Sequence, residues 1–398
     1  MMLATVILRL PEALRRARLA RPARGGYRVV ACMALMSGLQ AAFAGVLPED
    51  RADALYHYYD GGGVQIDGPS ILVRKKLGTN VSVAGNYYVD TISSASIDVV
   101  TQASEYSEER TEATVGADYL RGDTAMSLAL TRSDEDDYQA DTLNLGISQA
   151  VFGGLTTISM GYARGSDDVG MRDSDFSEEA DHWRYRVGVA QVLTRNLLLG
   201  LDYEAVADEG FLNNPYRRVR FLDPDSATGF SFQDEVYPRT RDSNAVALRA
   251  RYFLPYRAAV SGSARYFTDS WGIDASTVEV GYTHPRNRFT YEAGYRYYSQ
   301  TAADFYSDLF PYIDAQNFLA RDKELSTFTS HTLRFGVGYE MPLEIGTRIE
   351  KGAVNFVWDH IMFSYDDFRD IRAGSTPGSE PLYDFSADVF QIFFSLWF

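Results

Sequence analysis

Guanidinium groups and carboxylates recur along this chain at every second position of otherwise apolar stretches, where they could attract, bind or exclude ions. Asp202 and Glu204, for example, alternate with Leu201 and Tyr203. Successive side chains of a β-strand point to opposite faces, so such charges would share one face. The charged residues that we assign to this face are Arg74, Asp118, Arg184, Arg186, Asp202, Glu204, Arg249, Arg251, Arg265, Glu279, Glu292, Arg296, Arg334, Glu340 and Asp359.

Cations and anions nearly balance on this face, and two interpretations follow. Arginines and carboxylates that face each other across a wet pore form a constriction with a transverse field. The same groups could instead pair in a network that fills the interior. The sequence favours neither, so the interior charges are candidate lumen-lining residues in both cases.

Residues for catalysis or metal binding are scarce. The histidines are His57, His182, His284, His331 and His360. A hydrolase at the rim of a barrel would need a Ser–His pair, yet Ser330 alternates with His331 and faces the other way. We therefore predict no catalytic residue, no metal ligand, no cofactor-binding residue and no enzymatic activity.

The elements that position these charges are strands of about 9–12 residues with period-two alternation, which is the strand signal of a transmembrane barrel. Short turns and long loops alternate between these strands. The predicted turns are Leu77–Asn80, Arg121–Asp123, Gly153–Leu155, Thr194–Asn196, Pro255–Arg257, His284–Arg288 and Pro342–Lys351. The predicted loops are Ser93–Arg110, Ser133–Ala140, Gly165–Asp181, Asp208–Asp242, Asp269–Ala275, Thr301–Ser330 and Asp366–Pro381.

The alternation of short turns and long loops predicts an all-β, antiparallel, up-and-down transmembrane barrel of about 16 strands. Fourteen strands are the alternative, if the first pair around Gly61-Gly62-Gly63 does not span the membrane. In the long loop Thr301–Ser330 the piece Tyr312–Leu325 is amphipathic, with Phe318, Leu319 and Leu325 as its apolar stripe. We predict one short helix there, which either folds over or into the barrel mouth or forms a solvent-facing cap.

The last strand carries the sharpest single signal. Apolar residues occupy every second position up to the final residue, namely Phe390, Ile392, Phe394, Leu396 and Phe398. A terminal aromatic residue in this pattern is typical of strands that the outer-membrane barrel-assembly machinery recognises. The alternative is a buried core strand of a soluble β-sandwich.

The first 44 residues read as a secretory signal peptide. An arginine-rich segment precedes an apolar run from Val29 to Phe43, and small residues at Ala42 and Ala44 predict cleavage after Ala44. Residues 45–398 then form the barrel. The only cysteine, Cys32, falls in the removed segment, so disulfides and thiolate metal sites are excluded.

Charge excludes one class of partner. Removing seven arginines and one glutamate with the signal peptide lowers the net charge from -16 to about -22. Nucleic-acid binding needs a basic face, so nucleic acid is not expected. The acidic loops, such as Ser133–Asp137, suit a solvated outer surface, although carboxylate-rich loops can also hold Ca²⁺. Basic stretches at Asn213–Arg220 and Tyr237–Arg241 could grip lipopolysaccharide phosphates or pair with the acidic loops.

Several strings resemble an uncharacterised family of Gram-negative outer-membrane barrels, a domain of unknown function. They are GPSILVRKKL at Gly68–Leu77, VDTISSASIDVV at Val89–Val100, GFLNNPY at Gly210–Tyr216 and the segment Asp304–Ser326. Members are often encoded beside a small lipoprotein, a thioredoxin-like protein and a flavin transferase. The resemblance implies an outer-membrane location and a small periplasmic lipoprotein or flavinylated redox protein as partner.

The resulting hypothesis is a conduit or scaffold in the outer membrane, in contact with its lipid and lipopolysaccharide, for extracytosolic, flavin-linked electron transfer. The chain has no Cys-x-x-Cys-His motif for covalent haem, so a partner would carry the cofactor. The alternatives are a small-solute porin and an adhesion or structural surface protein, with a rim hydrolase disfavoured.

Overall fold

The computed structural model describes residues 45–94, 106–172, 174–342, 349–374 and 376–398. The predicted signal peptide, with Ala42 and Ala44, lies outside these residues, so its cleavage stays a prediction.

Antiparallel strands account for nearly all regular structure. The strands are β1 Arg51–Gly61, β2 Val64–Leu77, β3 Val81–Ser94, β4 Tyr106–Arg121, β5 Thr124–Asp134, β6 Tyr138–Val151, β7 Thr156–Gly170, β8 Ser177–Thr194, β9 Leu197–Gly210, β10 Arg218–Leu222, β11 Phe230–Asp234, β12 Thr240–Phe253, β13 Ala259–Asp269, β14 Asp274–Arg286, β15 Phe289–Gln300, β16 Phe328–Met341, β17 Lys351–Arg369 and β18 Leu382–Trp397. Sixteen of them, β1–β9 and β12–β18, close into one barrel, and β10 and β11 form a separate hairpin. The predicted 16-strand barrel is confirmed, and β1 and β2 belong to its wall.

The barrel is apolar outside and polar inside because its strands alternate. Val115, Leu130 and Leu201 project outward and are 68, 58 and 53% exposed. Large apolar side chains all round an outer surface suit lipid, and closure leaves no unpaired strand edge in the hydrocarbon. The protein is therefore an outer-membrane β-barrel. Within the described residues, no helix has the length and apolarity to span a bilayer.

Turns and loops divide between the two ends as predicted. At one end, which we call the turn end, short connections such as 78–80 and 122–123 join the strands, with Gly78 and Gly122 at positive φ of 77° and 59°. The longer connections lie at the other end, the loop end, together with the tight turn at Gly62 and Gly63. In outer-membrane barrels these ends face the periplasm and the outside, respectively. The segments 95–105 and 343–348 fall outside the described residues.

The final strand closes the barrel against the first. Phe394 of β18 pairs with Ala54 of β1, and the outward Ile392 is exposed. Phe398 follows the strand, and the Lys75 ammonium lies 4.8 Å from the centre of its ring. Recognition of Phe390, Ile392, Phe394, Leu396 and Phe398 by the assembly machinery stays a prediction.

The long loop between β15 and β16 contains only one helical turn, a 3₁₀ helix at Lys323–Leu325. The amphipathic helix predicted over Tyr312–Leu325 is thus wrong in length. Its apolar residues do not form one stripe, because Leu319 and Leu325 enter different apolar clusters and Phe318 is exposed.

Candidate functional site

The inner wall of the barrel carries the charged residues that the sequence assigns to it. Each lies at a position that alternates with outward apolar residues, as Asp202 and Glu204 do with Leu201 and Tyr203 on β9. The structure places every one of them on the inward face. They are Arg74 on β2, Asp118 on β4, Arg184 and Arg186 on β8, Asp202 and Glu204 on β9, Arg249 and Arg251 on β12, Arg265 on β13, Glu279 on β14, Glu292 and Arg296 on β15, Arg334 and Glu340 on β16, and Asp359 on β17.

One group of these residues converges on Glu204. Arg186 Nε donates to Glu204 Oε2 at 2.6 Å, and Arg184 Nε lies 3.8 Å from the same oxygen. Arg265, from two strands further along the wall, reaches Glu204 Oε1 at 3.5 Å. A single carboxylate therefore faces three guanidinium groups.

A second pair extends this group. Arg249 Nη1 donates to Asp202 Oδ2 at 2.8 Å. Gly188 makes room for that carboxylate, because a Cβ at this position would lie 2.7 Å from Asp202 Oδ1. Arg251 follows two residues after Arg249 on the same face, opposite Leu198 and Ser261. We call Arg184, Arg186, Asp202, Glu204, Arg249 and Arg265, together with Arg251, the arginine patch.

A separate ion pair lies on the neighbouring wall. Arg334 donates through Nε and Nη2 to the two oxygens of Asp359, both at 2.7 Å. Arg296 and Glu279 are directly opposite each other on β15 and β14. Strands β14 to β16 carry three of the acidic members of the set, Glu279, Glu292 and Glu340.

Side-chain exposure shows free space in the lumen at the arginine patch. The side chains of Arg184 and Arg186 are 51% and 54% exposed although they point into a closed barrel. A packed interior would bury them, so this level of the lumen has space for water or solute.

A second inward cluster, not anticipated from the sequence, lies nearer the loop end. His57 on β1 is 1% exposed, and its Nε2 lies 2.7 Å from Asp90 Oδ1 on β3. Tyr88 stacks on the imidazole with ring centroids 5.1 Å apart. Gly68 of β2 stands between the two strands and is opposite His57, so its missing side chain lets the histidine reach Asp90. In the sequence, His57 and Asp90 both occupy positions of their strands that face inward, and Gly68 occupies the inward position between them. This pattern is the sequence signal for the pair.

The mouth at the loop end is spanned by folded loops, which we call the cap: residues 211–239, 301–327, 370–374 and 376–381. Arg220 on β10 is fully buried and donates to Glu380 at 2.5 and 3.2 Å. It also donates to the Asp308 carbonyl at 2.9 Å and to the Asp308 carboxylate. Strands β13 to β16 separate the loops that carry Arg220 and Glu380, so this contact crosses the opening.

The cap has apolar cores of its own. Tyr237, Phe305 and Leu325 of the cap are buried together with Trp271 of the β13–β14 connection, and Val219 packs with Phe310 and Leu319 in a second cluster. On the other side, the Tyr216 hydroxyl donates to Asp137 and accepts from the Arg172 amide at 2.7 Å. The β9–β12 loop thus contacts loops on both of its sides.

A buried carboxyl lies inside the cap. Glu235 accepts from the Arg321 amide at 2.7 Å and from the Tyr237 hydroxyl at 2.8 Å. Burial, reinforced by the nearby Asp322 carboxylate and opposed by Arg217, raises the pKa of Glu235 to about 7.

A family model covers most of the barrel wall. Residues 101–355 match the model described as a protein of unknown function, DUF3570. The chain belongs to this family. The resemblance seen in its sequence strings is thereby confirmed, whereas the neighbouring genes that it implies stay a prediction. No curated protein matches the chain.

Solved outer-membrane barrels resemble the chain at low identity. A bacterial polysaccharide outer membrane secretin is 8% identical over 87% of this chain and 99% of its own, with a TM-score of 0.44. The CymD monoaromatic hydrocarbon channel is 9% identical over 88% and 89%, with a TM-score of 0.42. The siderophore receptor PirA from Pseudomonas aeruginosa is 10% identical over 88% and 63%, with a TM-score of 0.41.

The basic loop segments of this DUF3570 chain are paired inside the protein. Arg217 contacts Asp322, Arg239 Nη1 lies 2.6 Å from Glu178, and Arg241 lies 2.5 Å from Asp269. Together with the buried Arg220, these contacts favour the pairing alternative over a grip on lipopolysaccharide phosphates. Lipopolysaccharide as a partner stays a prediction.

The acidic loops bring three carboxylates together. Glu108, Glu135 and Asp137 offer oxygens that all lie within 4.8 Å of one another. Arg172 contacts Glu108 at 3.4 Å and offsets part of this charge.

His182 and His331 lie near the loop end, and in the part of the chain that the structure describes they contact groups other than a serine hydroxyl. His182 lies between Asp208 at 2.7 Å and Asp167 at 3.0 Å. His331 Nδ1 contacts the Tyr295 hydroxyl at 2.7 Å on the outer face, whereas Ser330 is buried on the inner face. The expected lack of enzymatic activity stays a prediction.

Proposed function

We propose that this barrel is a capped conduit for small solutes across the outer membrane. The observation that carries the proposal is the half-exposed state of Arg184 and Arg186 inside a closed barrel. Charges in a packed interior would be buried in ion pairs, whereas these two guanidinium groups keep about half of their surface exposed, which fits a lumen that holds water or a polar solute. The cap spans the outer mouth and would restrict what reaches this level from outside.

Single-channel conductance in a planar bilayer tests the proposal. We expect steady current from the refolded protein, and we expect the current to change when Arg249 and Arg251 are both replaced by glutamine. The exterior variant Arg164→Gln is a matched control, because Arg164 lies over the Trp183 ring on the outer wall. A correctly folded barrel that passes no current would contradict the conduit.

The cap favours a second candidate function. A barrel whose outer mouth is spanned by packed loops could act as a sleeve or docking partner, reached from the turn end, for the periplasmic lipoprotein or flavinylated redox protein that the family resemblance implies. Covalently bound flavin fluoresces in a denaturing gel, so purification of the tagged barrel from its own envelope tests this function. A fluorescent flavoprotein retained with the barrel would support it, and its absence under conditions that keep the barrel folded would argue against it.

A further inference from the structure

We propose that the arginine patch is a binding site for small oxyanions, that is, solutes bearing carboxylate, phosphate or sulfate groups, and that it makes the lumen anion-selective. This inference deepens the proposed conduit and rests on it. Its closing experiment includes a binding measurement that does not require conduction.

Local charge is the first argument. Five arginines of the patch face two carboxylates, Asp202 and Glu204, which leaves three positive charges in excess. This excess stands out because the whole chain has a net charge of -16. Glu279 lies at the border of the patch, because Ser263 is opposite Arg249 on one side and opposite Glu279 on the other. On its far side, Glu279 is opposite Arg296.

Hydrogen-bonding capacity is the second argument. Three guanidinium groups carry about fifteen N–H donors, whereas a carboxylate such as Glu204 accepts about four hydrogen bonds. Arg184 lies 3.8 Å from Glu204, beyond hydrogen-bond distance, and Arg265 is at its limit at 3.5 Å. These two guanidinium groups therefore retain donors directed at the lumen, and an oxyanion supplies the missing acceptors in the forked geometry that arginine prefers.

Access is the third argument. The side chains of Arg184, Arg186, Arg249 and Arg265 are between 33% and 54% exposed, so there is space beside them for a solute. Small inward residues surround them, including Gly188, Gly200 and Ser263. The site thus combines excess charge, directed donors and free space at one level of the lumen.

The reversal potential across a KCl gradient tests the selectivity. We expect wild-type current to be carried mainly by chloride and to be blocked by pyrophosphate added at the turn end. The double variant Arg186→Gln/Arg265→Gln should lower the chloride-to-potassium permeability ratio about threefold per charge removed. Glu204→Gln removes one of the two carboxylates of the patch and should raise the same ratio, which a purely structural role of Glu204 would not do.

The matched control removes two arginines outside the lumen, Arg164 on the outer wall and Arg218 on the cap hairpin. Both are paired at the surface, with Asp181 at 3.7 Å and Asp234 at 3.2 Å. Arg164→Gln/Arg218→Gln should leave the permeability ratio unchanged. A cation-selective wild type, or a ratio that the patch variants do not move, would overturn the inference.

Calorimetric titration of the detergent-solubilised barrel with pyrophosphate separates this inference from the conduit. A silent barrel that binds pyrophosphate, and loses binding in Arg186→Gln/Arg265→Gln, would refute conduction and retain the oxyanion site. A folded barrel that binds no pyrophosphate would refute the site, whatever its conductance.

Discussion

Arg220 and Glu380 are 160 residues apart in the chain, yet their side chains form a buried ion pair at 2.5 Å across the barrel mouth. Asp308 accepts from the same guanidinium group. One arginine thereby joins three loops of the cap.

Replacing Arg220 should loosen the cap without unfolding the barrel. Arg220→Met leaves Asp308 and Glu380 without their shared partner, and breaking a buried ion pair in this way costs about 3–5 kcal/mol. We expect faster proteolysis within residues 211–239 and a larger single-channel conductance. Arg218→Met is the matched control, because Arg218 is exposed on the same strand and pairs only at the surface with Asp234. An Arg220 variant that resists protease as well as this control would show that the network does not hold the cap.

The cap should become less stable as the pH rises from about 4.5 to about 7. Glu235 has a pKa near 7 in the folded cap, against an ordinary value of 4.5, so the folded cap binds more protons than the unfolded cap within this window. The stabilisation is fully present below the lower value and is lost as Glu235 ionises on approaching the upper one. Protease accessibility of the cap across this range, compared between wild type and Glu235→Gln, measures the effect.

The glutamine variant keeps the hydrogen-bond acceptor for the Arg321 amide and cannot ionise. We expect it to flatten the pH dependence. Asp322, Arg217 and Tyr237 face the same carboxyl and remain in both proteins. An equally steep pH dependence in the glutamine variant would assign the effect to another group.

The pair of Arg334 and Asp359 should stabilise the barrel wall. Asp359 is buried whereas about a third of the Arg334 side chain is exposed, so solvent screens part of the interaction. We expect Arg334→Ala to lower the free energy of unfolding by about 1–3 kcal/mol. Arg334→Ala/Asp359→Asn should recover much of this loss because no unpaired charge remains. Urea unfolding from lipid vesicles measures both, and equal losses in the single and double variants would contradict a charge effect.

The positions of the strands, and the face of the wall on which each side chain lies, could be predicted from the sequence. Side chains alternate with a period of two, so a slip of one residue would turn every charge towards lipid. Asp202 and Glu204 face the lumen for this reason. The cap could not be predicted in the same way. Its contacts, such as Arg220 with Glu380, join distant loops whose residues have no common period.

The predicted helix is confirmed only as the short turn Lys323–Leu325, and its expected apolar stripe is wrong for a related reason. Leu319 is buried with Val219 and Phe310 and forms a β-bridge with Val236, whereas Leu325 packs with Trp271. Leu319 and Leu325 therefore pack into two separate clusters and do not lie on one helical face. Local apolar spacing cannot distinguish these cases when the partners come from other loops.

Gly68 should be essential for the pairing of β2 with β3. A Cβ at this position would lie 1.8 Å from the Val89 carbonyl oxygen, which is backbone and cannot rotate away. Gly68→Ala should therefore separate the strands locally and lower the free energy of unfolding by about 1–3 kcal/mol. It should also part His57 from Asp90, because Gly68 lies between them. The control is Gly85→Ala on β3, where a Cβ meets nothing within 4 Å. Urea unfolding from vesicles compares the two variants, and equal stability would show that the close approach at Gly68 is not required.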